Sequence, residues 1–305
     1  KELESISDRY LFFLRPRRFG KSLLLSMLGH YYGIQHAERF DDLFGGYFIG
    51  KPHNQTPLRN SYHILNFNFS GIKTDKVDDV FLHFTNEISG AVKLFITKYN
   101  LFTDVETAEI FSHNDANSIL RSLFFRLQGL QPGIKVYLFI DEYDHFTNEL
   151  LAFNREHFSE IVSQNGWMRK FFEVIKQFMG EGVIDLFFAT GVTPVTLDSM
   201  TSGFNVSKNL TLDARFHNMA GFTESEVQAL ITATGSETVI SEIDSLVGDI
   251  REWYNGSKFS VETVQKLFNP QILINFLDYF YAFGKYPTEM YDPSVASDYL
   301  KIKNQ

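Results

Sequence analysis

Cysteine is absent from the 305 residues, which excludes disulfide staples and thiolate metal sites and permits a reducing compartment. No apolar run approaches the ~20 residues that a helix needs to cross a bilayer. No signal peptide is visible, and residue 1 is Lys rather than Met, so the natural start is missing. The expectation is a cytoplasmic, intracellular protein with no membrane partner. Positive charge is also scarce: 28 Lys and Arg stand against 37 Asp and Glu, a net charge of -9. Coating duplex nucleic acid takes the opposite balance, so nucleic acid is not supported as a partner. The nine histidines show no paired ligand spacing and read as surface or core residues. No Gly-x-Ser-x-Gly elbow is present, which argues against a serine hydrolase. There is no guanine-reading Asn-Lys-x-Asp motif, no internal repeat and no low-complexity segment.

What is present is ordinary for a globular protein, with 44% hydrophobic and 21% charged residues. The exception is phenylalanine, with 32 copies, which predicts a strongly aromatic core. The length suits one large α/β domain, or a large domain with a smaller one attached.

The stretch Leu11-Phe12-Phe13-Leu14-Arg15-Pro16-Arg17-Arg18-Phe19-Gly20-Lys21-Ser22-Leu23-Leu24-Leu25 organises the chain. An apolar run predicts a buried strand, a basic turn follows, and Gly-Lys-Ser opens a helical pattern. Strand, turn and helix in that order are the setting of a phosphate-binding loop. Successive backbone N–H groups and the positive end of the helix cradle phosphate oxygens in such loops. Lys21 is then the group that neutralises the outer phosphates, and the Ser22 hydroxyl is a magnesium ligand. The candidate nucleotide-binding set is Arg17, Arg18, Phe19, Gly20, Lys21, Ser22 and Leu23. The loop consensus is Gly-x-x-x-x-Gly-Lys-Ser/Thr, and Arg15 occupies its first glycine. The basic patch Arg15-Arg17-Arg18 reads as part of the phosphate cradle rather than as a local nucleic-acid contact, and the competing reading of Gly-Lys-Ser is a basic turn with a solvated Lys.

Beyond Ser22, the spacing of Leu24, Met27, Leu28 and Tyr31 predicts a helix that stops at Gly33. Residues 38–60 hold Gly45, Gly46, Gly50, Pro52 and Pro57 and read as a loop or short pieces. Residues 62–70 alternate and predict a second strand. Helices are expected over 77–99 and 118–128, and Pro132 and Gly133 end the second of these.

A second motif, Lys135-Val136-Tyr137-Leu138-Phe139-Ile140-Asp141-Glu142, is apolar at consecutive positions and ends in two acids. That pattern suits a strand buried on both faces of a parallel sheet, whose ligands bind beyond the strands' carboxyl ends. Asp141 would hold magnesium, and Glu142 would orient and deprotonate an attacking water; two acids in a solvated turn is the alternative. A helix is expected over 154–179, then a strand over 183–191 that ends at Thr190. Thr190 is either a sensor of the terminal phosphate or a turn cap. Residues 192–217, with Pro194, Gly203 and Asn209, read as a long loop. In it Arg215 is a candidate for stabilising charge on the transferred phosphoryl group. Thr223-Glu224-Ser225-Glu226 is a capping-box start, which puts a boundary near Gly221. Residues 241–305 show two or three helical patterns broken by Asn255-Gly256 and Asn269-Pro270.

With these residues in view, the chain resembles the AAA-ATPase-like family, P-loop ATPases related to archaeal-type and STAND ATPases. The resemblance rests on Arg15-Pro16-Arg17-Arg18-Phe19-Gly20-Lys21-Ser22 and Phe139-Ile140-Asp141-Glu142-Tyr143-Asp144. It extends to Ala189-Thr190-Gly191-Val192-Thr193-Pro194-Val195, Thr201-Ser202-Gly203-Phe204-Asn205 and Gly221-Phe222-Thr223-Glu224-Ser225-Glu226-Val227. Trp253-Tyr254-Asn255-Gly256 and Phe268-Asn269-Pro270 match more weakly. It implies that Arg15 is a family trait, that the two motifs are the Walker A and Walker B elements, and that the sheet carries an additional strand. It also implies ATP rather than GTP and a further carboxy-terminal domain in the parent protein, often a PD-(D/E)XK-type nuclease. No trace of that nuclease's acids and lysine is seen in these residues. Asn68 stands where the family leads one to expect an aspartate.

The expectation is therefore an α/β, three-layer P-loop NTPase with a mostly parallel central sheet, followed by a small helical lid. Residues 1–221 form the ATPase core and 222–305 the lid. The function is magnesium-dependent ATP binding and hydrolysis, with Glu142, Lys21, Thr190 and Arg215 as catalytic candidates and Ser22 and Asp141 on the metal. The alternative is a slow or non-hydrolysing nucleotide switch that presents a protein-interaction surface. A homo-oligomer stays open.

Overall fold

Five parallel strands lie in the order β2-β3-β4-β1-β5 in the computed structural model, which describes residues 1–74, 76–130, 133–163, 166–194, 207–254 and 256–288. They are β1 (Tyr10–Leu14), β2 (His63–Asn68), β3 (Val136–Asp141), β4 (Ile184–Gly191) and β5 (Ser207–Asn209). All six residues of β3 are buried, as its unbroken apolar run predicts for a central strand. The acid-ended β3 does not neighbour β1, because β4 pairs with both of them. This is the additional strand that the resemblance implies. The register sets Leu14 beside Gly191 and Ile140 beside Ala189, so β1, β3 and β4 end at one sheet edge.

The chain divides into two compact units. The first contains Lys1–Leu14 and Leu25–Asn209, and the second Arg15–Leu24 and Leu210–Gln305. The basic loop thus clusters with carboxy-terminal residues.

In the first unit, helix α1 spans Glu2–Ser5, α2 Lys21–Tyr32 (its first turn belonging to the second unit), α3 Phe40–Phe44, α4 Val77–Tyr99, α5 Asp104–Ile110, α6 Ala116–Gln128, α7 His145–Phe153, α8 Arg155–Val162 and α9 Trp167–Gly180. One sheet face, with Phe12, Phe67, Leu138 and Phe187, is continuous with the buried faces of α4, α6 and α9. On the other, Tyr137 meets Tyr32 of α2 at 5.4 Å between ring centroids. Phe69, Phe84, Phe146 and Phe171 pack together within 5.2–6.2 Å. Each such fully buried ring contributes ~2 kcal/mol of hydrophobic stabilisation, so the phenylalanine excess is spent on the core.

Several elements differ from the sequence expectation, α1 and α7 among them, which arise where no helix was expected. The helix expected over 154–179 is two, because Asn154 caps α8 through the His157 N–H and α9 restarts at Trp167. Helix α5 arises where none was expected: Thr103 and Glu106 form a reciprocal capping box. The loop read over 192–217 contains β5, a three-residue strand too short to show alternation. Pro132, Val195, the Thr201–Asn205 segment with its Gly203, Asn255 and residues 289–305 lie outside the described residues.

In the second unit, the capping box of Thr223 and Glu226 starts the helix Glu224–Thr234. Helices Glu237–Ser241, Ile243–Tyr254 and Pro270–Phe283 follow. Their apolar faces meet in a core of Val227, Ile231, Leu246, Ile250, Phe268, Leu273 and Phe276. Among the described residues, no helix is long and apolar enough to cross a membrane.

Candidate functional site

The acids stand where β3 runs out of ladder. Asp141 is the last strand residue and only 5% exposed. Thr190, wholly buried near the end of β4, donates its hydroxyl to Asp141 Oδ1 at 2.6 Å. The threonine read as a phosphate sensor or turn cap thus orients the first carboxylate. Glu142 follows with φ +53°, a left-handed conformation that costs a non-glycine residue about 1–2 kcal/mol. The chain then turns sharply, and Tyr143 returns its N–H to the Thr190 carbonyl at 2.9 Å.

Asp144, whose role sequence reasoning missed, is fully buried. Its carboxylate accepts the N–H groups of Val192 and Thr193 at 3.1 and 2.7 Å, the Thr193 hydroxyl at 3.2 Å and the Asn148 amide at 2.7 Å. Burial pushes its pKa above the ordinary value; bonds from Thr193, Val192 and Asn148 act against the rise, and the Glu142 charge adds to it. The Tyr143 hydroxyl donates to the Thr193 carbonyl at 2.6 Å. Together these bonds fasten the segment leaving β4 to the turn leaving β3. Gly191 makes this possible, since a Cβ there would lie 2.4 Å from both Asp144 Oδ1 and the Tyr143 ring. The signal available in the sequence was an Asp three residues beyond a strand-terminal acid, just ahead of a helix. Asn68 pairs with Asp141 in the ladder, and its side-chain oxygen accepts the Ser70 N–H at 2.9 Å. It closes a turn in the place of the expected aspartate.

The basic loop is built by different means. Arg18 and Gly20 both take left-handed backbone, φ +65° and +88°. Gly20 is the residue that does so at no steric cost. Helix α2 then begins, with Leu24 bonding back to the Gly20 carbonyl at 2.9 Å. A helix's first N–H groups carry its positive dipole end, so those of Lys21, Ser22 and Leu23 are suited to an anion. Lys21 is buried at 4% exposure, and its ammonium donates to the Pro16 carbonyl at 3.3 Å, across the turn. Ser22 and Leu23 are exposed, as is Arg18, and Arg17 is half-buried.

Arg15 is not part of a phosphate cradle, which corrects the reading of the three-arginine patch. It is 1% exposed, donates to the carbonyls of Thr211, Phe216 and His217 at 3.1, 3.3 and 3.1 Å, and lies 4.0 Å from the Phe259 ring centre. Burial lowers its pKa to about 10, still high enough to keep the charge. Phe19, also buried, meets Phe259 edge-on at 5.4 Å. Arg215 pairs with Asp213 through two bonds of 3.1 and 2.7 Å and is half-exposed.

A divalent ion fits these donors in kind. Asp141 and Ser22 offer hard oxygens, and no three His, Cys, Asp or Glu side chains cluster for a metal among the described residues.

A family model described as a predicted AAA-ATPase matches residues 1–201. An uncharacterized protein in the vnfD 5' region of Azotobacter chroococcum mcd 1 is 24% identical over 287 residues, which is 93% of this chain and 49% of that protein. The chain thus spans about half the length of the curated relative it matches.

Proposed function

The chain belongs to the predicted AAA-ATPase family, and from that premise we propose that it binds ATP with magnesium and hydrolyses the terminal phosphate. The observation that carries this reading is the strand-end pair of acids, with Asp141 oriented by a buried hydroxyl and Glu142 turned into left-handed backbone beside it. The N–H groups at the start of α2 and the Lys21 ammonium hold the outer phosphates, and Asp141 and Ser22 hold the ion. Bound there, magnesium would neutralise charge on the phosphates. Glu142 accepts a proton from water as the water oxygen bonds to the terminal phosphorus and the bond to the bridging oxygen breaks, leaving ADP and phosphate. Thr190 positions Asp141 through its hydroxyl. Catalysis of this kind is positioning and charge stabilisation. Residues 1–221 act as the core and the helices beyond as a lid that moves with the cycle. A nuclease-type domain elsewhere in the parent protein belongs to the same proposal.

A second reading, a slow nucleotide switch, is favoured by one observation: Arg215, the candidate for the transferred charge, already pairs with Asp213. Phosphate release and ATP binding by the wild type and Glu142→Gln separate the two. An ATPase loses at least 100-fold in turnover on this change and keeps its ATP affinity. If the wild type binds ATP but releases phosphate no faster than the variant, the hydrolytic reading fails and the switch stands.

A further inference from the structure

The basic loop is held by residues some two hundred positions away. Asn269 makes the connection most directly. Its side-chain oxygen accepts the N–H groups of Gln271 and Ile272 at 3.0 and 3.4 Å, capping the helix Pro270–Phe283. Its amide nitrogen donates to the Arg17 carbonyl at 3.1 Å. One side chain thus uses its acceptor on the helix and its donor on the loop. No other side chain type that caps well does both from this position: Ser and Thr are shorter, and Asp has no N–H to give. The carbonyl it holds belongs to the residue just before left-handed Arg18, where the turn sets the direction of the N–H groups that follow. Phe19 and Arg15 hold the loop on either side, on Phe259 and on the carbonyls of residues 211, 216 and 217.

We propose that Asn269 is a positioning residue that latches the phosphate-binding loop to the cap of helix Pro270–Phe283, so that the loop's shape is governed by the carboxy-terminal helices. The proposal takes its nucleotide consequence from the ATP-binding reading above, whereas the latch itself can be tested without nucleotide.

The discriminating variant is Asn269→Asp, which keeps the capping oxygen and replaces the donor with an oxygen that repels the Arg17 carbonyl. Asn269→Ala removes both. Two quantities are measured on the full chain: trypsin cleavage after Arg17 or Arg18 without nucleotide, and equilibrium binding of ATP with magnesium. For Asn269→Asp, Tm stays within about 2 °C of the wild type, because Asn and Asp cap equally well. Loop cleavage rises several-fold, and ATP affinity falls about tenfold. Asn269→Ala shows the same loosened loop and a lower Tm. If Asn269→Asp is cleaved at the wild-type rate, the latch is overturned, whatever the ATP result. If cleavage rises while the wild type binds no ATP, the latch stands and the nucleotide reading fails. Faster cleavage with unchanged ATP affinity overturns the claim that the latch shapes the binding loop.

Discussion

The acid turn after β3 and the basic loop after β1 carry the same backbone feature by opposite means. Each places a non-glycine residue in left-handed conformation, Glu142 in one and Arg18 in the other. The acid turn is held from nearby: its partners lie on the adjacent strand β4 and on the segment leaving it, through Thr190, Val192 and Thr193. The basic loop is held from a distance by Thr211, Phe216, His217, Phe259 and Asn269. A group fixed by the ladder of a central strand moves only if the sheet does. A loop fixed by side chains on carbonyls can be released by a modest rearrangement of the elements that supply them. On the function proposed above, that difference suits fixed acids and an adjustable phosphate cradle.

The sharpest way to break the comparison is Arg15→Ala. It removes three bonds to carbonyls, two of them buried, and a cation over an aromatic ring, and should cost about 3 kcal/mol in urea-induced unfolding. The loss should fall on the transition that reports the carboxy-terminal helices; a cost under 1 kcal/mol would show that the long-range clamp contributes little. Gly191→Ala probes the other side. The added methyl meets Asp144 and Tyr143 at 2.4 Å, so a destabilisation of about 2–3 kcal/mol is expected, and a neutral result would mean that the acid turn is not tightly packed. Thr190→Val deletes the bond to Asp141 with little change in volume. About 1 kcal/mol of stability and roughly a tenfold drop in phosphate release are expected. Unchanged turnover would leave Thr190 without a positioning role.

The smallest effect is a pH slope. Asp144 has a raised pKa in the fold, so the native state keeps its proton to higher pH than the unfolded chain does. Its contribution is therefore full below the ordinary value of 3.8 and declines as pH rises through the raised one. The stability difference between the wild type and Asp144→Asn should shift against the wild type over that interval. A difference that stays flat with pH would contradict the raised pKa.

The same contrast decides how much was legible in the sequence. Strands β1 to β4 announce themselves as apolar or alternating runs, and Gly20-Lys21-Ser22 and Asp141-Glu142 stand at their ends because the signals for strand end, turn and helix start are local. Asp144 was visible only as a letter, because its meaning lies in N–H groups that the fold brings from the segment after β4. Arg15 looked like part of a cationic patch. Its burial depends on residues 211, 216, 217 and 259, which no local pattern connects to it. Strand β5 carries three residues and no periodicity. Arg215 read as a candidate for the transferred charge, and no local pattern showed that Asp213, two residues away, pairs with it.

A structure with magnesium and a non-hydrolysable ATP analogue bound tests the central claim most directly. The account predicts the terminal phosphate on the Lys21 ammonium, the ion between Ser22 Oγ and Asp141, and a water against Glu142. A nucleotide seated elsewhere, or one whose phosphates meet Lys21 while Asp141 and Glu142 face away from them, would contradict it.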